Sequence, residues 1–147
     1  MSKRRVVITG LGIVCPVGNN VNDSWANITN GVSGISLLKN LDTSMQTVKF
    51  GGAVKNFDVS QYLTPKDAKK MDIFIHYGMA AGIQSFEDSG IEVTDSNSER
   101  IGVAIGAGIG GLTTIEKTAD LFREKGPKRI SPFFVPSSII NMVSGNM

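Results

Sequence analysis

Short β-branched runs alternating with longer helical periods predict an α/β protein built on a largely parallel sheet. Val6-Val7-Ile8-Thr9 and Ile101-Gly102-Val103-Ala104-Ile105 are compact apolar runs of the kind that form strands buried on both faces. Each runs into a glycine-rich turn, and each is followed by residues with helical spacing. The length of 147 residues suits one domain with a real core, and no repeat or low-complexity linker divides it.

Along the chain, Val6-Thr9 enters a tight turn at Gly10-Leu11-Gly12. Asn22 or Asp23 is placed to cap a helix through Trp25 and Ile28 that ends at Gly31. Residues 32–47 are turn-rich and give little signal, and Phe50-Gly51-Gly52-Ala53-Val54 reads as a weak strand at an edge. Thr64-Pro65-Lys66-Asp67 is a sharper start signal. Thr64 caps, Pro65 suits the first helical position, and Asp67 stands where a capping box places its acceptor. The helix is expected to run from there to Gly90, with Met71, Ile75, Met79, Ile83 and Phe86 at helical spacing. Gly78 and Gly82 lie one turn apart on it, each costing about 1 kcal/mol relative to Ala, so another element should approach that bare face closely. Thr113 and Glu116 form a second capping box for a helix ended by Gly126-Pro127. Ser131-Pro132-Phe133-Phe134-Val135-Pro136 is expected to be extended, since proline biases its predecessor away from helix. A last helix starts at Ser137 or Ser138 and meets no stop signal before Met147. Such a sheet needs more strands than these, so 1–147 is expected to be an incomplete domain.

Composition excludes several function classes. A hydrophobic fraction of 41% and a charged fraction of 19% belong to a globular protein. The net charge of +2 makes no strong overall field, so nucleic acid is not an expected partner and electrostatic recognition falls to local patches. One cysteine and one histidine supply neither a disulfide framework nor an ordinary zinc site. Lys3-Arg4-Arg5 before Val6-Val7-Ile8 imitates a signal peptide, but Gly10, Gly12 and Pro16 break the run and no cleavage pattern follows. With no long apolar stretch, a cytoplasmic protein without a membrane partner is expected.

Each chemistry-bearing motif has a plain structural reading beside the functional one. Gly106-x-Gly108-x-x-Gly111 matches the dinucleotide fingerprint after a strand and before a helix. A Rossmann-type nucleotide-binding domain is therefore one alternative. It should carry an acidic residue on a second strand about 20 residues further on, whereas Gly126-Pro127-Lys128-Arg129 is loop chemistry. Cys15 has no base beside it and reads as a small buried hydrophobe. His76, mid-helix, reads as a hydrogen-bonded core or interface residue. Lys66, Lys69 and Lys70 crowd the start of the long helix, where its dipole disfavours cations. Lys128-Arg129 form a second small patch. These read either as solvated faces or as docking patches for an acidic partner, and taken alone the solvated face ranks higher. Phe133 and Phe134, adjacent in an extended segment, point to opposite faces, which reads either as the two sides of a buried segment or as one ring inward and the other toward an interface or cavity.

Taken together, these residues resemble the opening of a β-ketoacyl-acyl-carrier-protein synthase of the type II kind. The matching pieces run in order: Val7-Ile8-Thr9-Gly10-Leu11-Gly12, Pro16-Val17-Gly18-Asn19, Gly31-Val32-Ser33-Gly34-Ile35, Lys70-Met71-Asp72 and Asp88-Ser89-Gly90. Gly106-Ala107-Gly108-Ile109-Gly110-Gly111, Ile130-Ser131-Pro132-Phe133-Phe134-Val135-Pro136-Ser137 and Asn141-Met142 complete the series. The resemblance implies the N-terminal portion of a thiolase-like, layered α/β/α/β/α architecture. It also implies an acyltransferase that elongates fatty acids by decarboxylative condensation of malonyl-acyl carrier protein with an acyl thioester. In the family the nucleophilic cysteine and two histidines lie beyond these residues, and Cys15 and His76 do not match them. No catalytic residue is therefore assigned, no cofactor or metal is implied, and the 147 residues are expected to be inactive alone. By position, Ile109 and Phe134 match acyl-pocket residues: Ile109 the one at the pocket entrance, and Phe134 an aromatic that reaches toward the acyl pocket of the other subunit of a homodimer. Lys66, Lys69, Lys70, Lys128 and Arg129 match basic positions that meet the acidic carrier protein. Lys69 stands where relatives often carry Arg, which removes bidentate pairing there. The third alternative is a carrier-protein-binding module without catalysis.

Overall fold

A computed structural model describes residues 3–39 and 41–147. Among the described residues, six helices and one hairpin make up the regular structure: α1 (Val21–Thr29), β1 (Ile35–Leu37), β2 (Phe50–Gly52), α2 (Pro65–Ala68), α3 (Ile73–Ser89), α4 (Leu112–Lys125), α5 (Phe134–Ser138) and α6 (Met142–Asn146). Short 3-10 turns stand at Val59–Gln61, Ser98–Arg100 and Pro127–Arg129.

Helix α3 is the element around which the rest is arranged. Ile75 and Met79 are buried on it, and Val143 of α6 completes the core, with Leu63, Met71, Phe74, Ile83, Ile105 and Met142 packed against that cluster. The two helical glycines explain how α6 comes so near. A Cβ on Gly78 would stand 2.6 Å from Val143 Cγ1, and one on Gly82 would stand 2.9 Å from the Met147 thioether. The close approach expected from the bare face is therefore present, and the partner is the C-terminal helix. On another side of α3, residues 10–13 lie against its backbone; the tight turn expected at Gly10-Leu11-Gly12 is not there, and falls instead at Pro16-Val17. Cβ atoms on Gly10 and Gly12 would collide with the carbonyls of Ser85 and Ala81. Leu11 N donates to Asp88 Oδ2 (2.9 Å), and Ile13 N to Gln84 Oε1 (3.2 Å). The Gln84 amide in turn donates to Asn19 O (2.8 Å) and Tyr62 Oη (2.9 Å), so one side chain clasps three segments.

Several sequence-based expectations need correction. Helix α1 is capped by Asn20, not Asn22 or Asp23, because the Asn20 carbonyl oxygen accepts from the N3 amide of Asp23 at 2.8 Å. The long helix expected from Thr64 to Gly90 is two helices. Thr64 caps α2 as read, but α2 ends within one turn and Asp72 starts α3 anew by accepting from Phe74 N at 3.3 Å. Gly90, at φ 64°, ends α3 as expected. Because α2 is only four residues long, Lys69 and Lys70 follow its C-terminus, where carbonyls favour cations, and do not crowd a positive dipole end. The Thr113–Glu116 capping box does not form: α4 begins at Leu112, with Gly111 as its cap residue and no side-chain cap of its own.

The segment 131–136 is not extended throughout, since α5 begins at Phe134. Pro136 sits at its third position, where the missing N–H has no intrahelical acceptor to lose. Helix does not run on from Ser137, because Ile139 leaves the helical region before Asn141 starts α6.

Val6-Thr9 and Ile101-Ile105 have no ladder partner among the described residues. Val6 and Ile8 are 88% and 82% exposed, so they are not buried here. A ladder needs two extended runs side by side, and the chain after each of these lies against a helix instead. Ile105 N donates to Ser144 Oγ of α6 at 2.9 Å, in the same manner as residues 10–13 bind α3. The weak strand at 50–54 is real over Phe50–Gly52, but its partner is Ile35–Leu37, inside the stretch that gave little signal, and the pairing is antiparallel.

The packing of α6 on Gly78 gives a stability test. At an exposed helical site Gly→Ala stabilises by about 1 kcal/mol, whereas overpacking a filled site costs about 1–3 kcal/mol. Gly78→Ala is therefore expected to lower the urea unfolding midpoint, and adding Val143→Ala to recover part of the loss. A raised midpoint for Gly78→Ala would show that α6 does not pack there.

Candidate functional site

The residues singled out by sequence fall in two neighbouring places, one basic and one around the glycine turn before α4. In the first, Lys66 and Lys69 are exposed on and after α2, and Lys128 and Arg129 are exposed on the 3-10 turn that follows α4. Among the described residues the ion pairs are Lys70–Asp67 and Arg123–Asp120, which leaves those four cations without a carboxylate partner. Lys70 differs. Its Nζ is 3.0 Å from Asp67 Oδ1 and 5.7 Å above the Phe133 ring centroid. Since Phe133 follows Arg129 by only four residues, this contact sets the two basic runs beside one another. Asp67 also accepts from the Thr64 hydroxyl at 2.8 Å, and that bond, followed by Lys70, holds its carboxyl below the usual range.

In the second place, Ile109 is 64% exposed at the head of α4, and Phe134 is half-buried as the first residue of α5. The two are joined through backbone: Gly111 N donates to Ser138 O at 2.9 Å. Gly110 has φ 90°, a conformation that glycine adopts without the strain a side chain would bring. A Cβ on Gly111 would stand 2.8 Å from Ser138 Cα and 3.1 Å from Asp72 Cβ.

That contact exposes a residue to which sequence reasoning gave no role. Asp72 is 6% exposed, and its carboxyl accepts from Phe74 N, from Thr114 N (2.9 Å) and from Thr114 Oγ1 (2.6 Å). One side chain thus caps its own helix and the first turn of α4, and the Asp72 amide donates to Ser137 O at 3.3 Å. A signal was available, because an Asp directly before the apolar run Ile73-Phe74-Ile75 is a helix-start signature.

The remaining candidates take structural places. His76 Nε2 lies 2.9 Å from Ala68 O and ties α3 to the end of α2. Cys15 pairs with Gly18 in a one-bridge hairpin, its Sγ 3.4 Å from Ser24 Oγ. Burial pushes its thiol up, but hydrogen bonds from Ser24, Val17 and Gly18 outweigh that and leave it below the ordinary range. No base adjoins it, and His76 is engaged elsewhere. The fingerprint at Gly106–Gly111 does not make a phosphate cradle. Its Gly111 N–H, which should face a ligand, is bonded to Ser138, and residues 101–105 supply no strand before it. Among the described residues there is no cluster of three His, Cys, Asp or Glu able to hold a metal, and no helix long and apolar enough to cross a membrane.

The family described as Beta-ketoacyl synthase, N-terminal domain, matches residues 3–147. The 3-oxoacyl-[acyl-carrier-protein] synthase 2 of Vibrio cholerae is 56% identical over all of this chain and 36% of its own length. That of Coxiella burnetii is 46% identical over 99% of this chain and 35% of its own. The chain therefore spans about a third of the length of these curated relatives. Among solved structures, the ishigamide ketosynthase/chain length factor superposes with a TM-score of 0.80 at 22% identity, covering 99% of this chain and 36% of that one. A ketosynthase in complex with its type II PKS acyl-carrier protein superposes at 0.77 and 24%, covering 99% and 39%. These likenesses establish an α/β, thiolase-like fold for the N-terminal portion. The chain belongs to the β-ketoacyl synthase N-terminal domain family.

Proposed function

We propose that this chain forms the carrier-docking and acyl-pocket wall of a 3-oxoacyl-acyl-carrier-protein synthase of the type II kind, acting in fatty-acid elongation. The observation that carries the reading is the unbroken likeness over residues 3–147 to proteins bearing that name, with the basic and glycine-turn places adjoining as the reaction would need. In that reaction a cysteine thiolate attacks an acyl thioester, takes the acyl group and releases the carrier thiol. Malonyl on a second carrier loses carbon dioxide to leave an enolate, whose charge a preorganised site must hold. The enolate carbon attacks the acyl-cysteine thioester, a carbon–carbon bond forms, and the cysteine leaves.

The residues here contribute positioning, not bond making. Lys66, Lys69, Lys128 and Arg129 present unpaired positive charge to an acidic carrier protein, with Lys70 as a fifth cation part-neutralised by Asp67. Ile109 lines the entrance of the acyl pocket, and Phe134 faces a second subunit of a homodimer. Neither Cys15 nor His76 is placed to act as nucleophile or acid, so the cysteine and histidines of the reaction lie outside these residues. The many exposed apolar side chains support 1–147 as one part of a larger thiolase-like unit, since surface such as Val6, Ile8, Trp25 and Phe122 is normally covered. The single cysteine fits a cytoplasmic setting. A module that binds carrier without catalysis remains an outcome of the tests, as carrier binding in a whole protein that performs no condensation.

Two measurements bear on this. Lys66→Glu with Lys69→Glu is expected to weaken carrier-protein binding by about tenfold or more, with affinity in the unaltered protein falling as salt rises. Calorimetry showing unchanged affinity would return these lysines to a solvated face. The second follows Asp67, whose lowered carboxyl stabilises the fold above its unfolded value. That contribution is lost as pH falls through the folded one, when Lys70 is released. Thr64→Ala should move the Asp67 midpoint upward in a carboxyl-carbon NMR titration, and an unmoved midpoint would contradict the hydroxyl's part.

A further inference from the structure

We propose that Asp72 is a positioning residue that sets acyl-chain discrimination by fixing, through Thr114, the glycine turn on which Ile109 is carried. This deepens the function proposed above and rests on it. Ile109 is followed at once by Gly110 and Gly111, two residues with no side chain to anchor them. Their position is imposed from outside. Ser138 O holds the Gly111 amide, and the Ser138 backbone and the Asp72 side chain together close the space beside Gly111. Three residues further on, Thr114 gives both its amide and its hydroxyl to Asp72 Oδ2. The first turn of α4 is therefore pinned to a buried carboxyl on another helix.

A residue at a pocket entrance discriminates between chain lengths only if its backbone stays in place while its side chain changes rotamer. With that backbone loose, long and short chains alike are accommodated by a shift of the turn. The Asp72–Thr114 contact is the side-chain anchor in reach of this turn, because α4 has no side-chain cap of its own. Lys69 and Lys70 stand three and two residues before Asp72, so the anchor also adjoins the basic surface. The sequence contains both partners, but 42 positions apart, and nothing in local spacing connects them.

The test uses the whole protein that carries this chain, with the variants Thr114→Val and Thr114→Ser. Valine keeps the shape and the amide bond but removes the hydroxyl, whereas serine keeps the hydroxyl. kcat/KM is measured for one short and one long acyl-carrier donor. Thr114→Val is expected to move the ratio of the two toward unity by about three- to tenfold, with Thr114→Ser staying within about twofold of the unaltered protein. A fall shared equally by both donors, or a lowered Tm with the ratio kept, would reduce the contact to a structural one and overturn the proposal. Should the unaltered protein condense neither donor, the proposed function fails. Amide hydrogen exchange at Gly110 and Gly111 then decides the anchoring: exchange faster in Thr114→Val than in Thr114→Ser supports it, and equal exchange refutes it.

Discussion

One buried carboxyl group, that of Asp72, ties together the starts of α3 and α4. Asp72 lies between two helix N-termini whose free amides both need an acceptor, and it serves both. Each capping bond is worth about 0.5–2 kcal/mol, and a buried donor left unpaired costs about 1–3 kcal/mol. The group is thus more than a local cap. Without it, α3 and α4 would each lose an end contact, and the two helix starts would be tied only indirectly, through the Asp72 N–Ser137 O and Gly111 N–Ser138 O bonds to α5. Apolar contact is roughly proportional to area and carries little direction. Hydrogen bonds at 2.6 and 2.9 Å to one oxygen carry a great deal.

The second constraint is the bareness of α3. Its glycines weaken it as an isolated helix, and the loss is offset only because α6 comes close enough for Val143 to be buried over Gly78. The N-terminal segment uses the same device with the roles reversed, its own Gly10 and Gly12 admitting the helix backbone. Small residues on one partner and side-chain hydrogen bonds from Gln84 and Asp88 on the other draw three distant segments onto one helix. The cluster of fully buried apolar side chains is accordingly small, and much of the definition comes from polar contacts around it.

These contacts explain which features could be read from sequence. Signals that act within a few residues were legible: the Thr64 cap with Pro65, the Gly90 and Gly126 stops, and the demand of Gly78 and Gly82 for a neighbour. What depends on residues far apart was not. Helical periodicity continues across Met71 and Ile75 and masks the break between α2 and α3, which Asp72 makes by capping α3 at Phe74 N while its other oxygen serves α4. The Thr113–Glu116 pattern is a sound local cap, but a tertiary acceptor for Thr114 displaced it. Likewise Ile35–Leu37 becomes a strand because Phe50–Gly52 lies alongside, across a stretch that carries no pattern of its own. Of the candidate site, the lysines and Ile109 were assigned roles only through likeness to a family, and Asp72, whose helix-start signal stood in the sequence, was given no role because its bond to Thr114 exists only once the chain is folded.

The basic surface and the glycine turn are linked through the segment Phe133–Ser138, which carries α5. Lys70 stands over Phe133, the residue before α5, and the last residue of α5, Ser138, holds Gly111. Charge attraction acts over about a Debye length, roughly 8–10 Å, and brings a partner near without specifying atoms. Packing and hydrogen bonds act only at contact and specify them closely. In this chain the exposed lysines belong to the first kind and the Asp72, Gly111 and Ser138 contacts to the second, with Lys70 sharing in both. Because Asp67 already neutralises part of its charge, Lys70 adds less to long-range attraction than Lys66 or Lys69. Its greater effect is on Phe133, where a cation held at 5.7 Å steadies the start of a five-residue helix too short to be stable alone. The division follows from burial: a charge that water screens can steer, and only a partner that excludes water can fix a position.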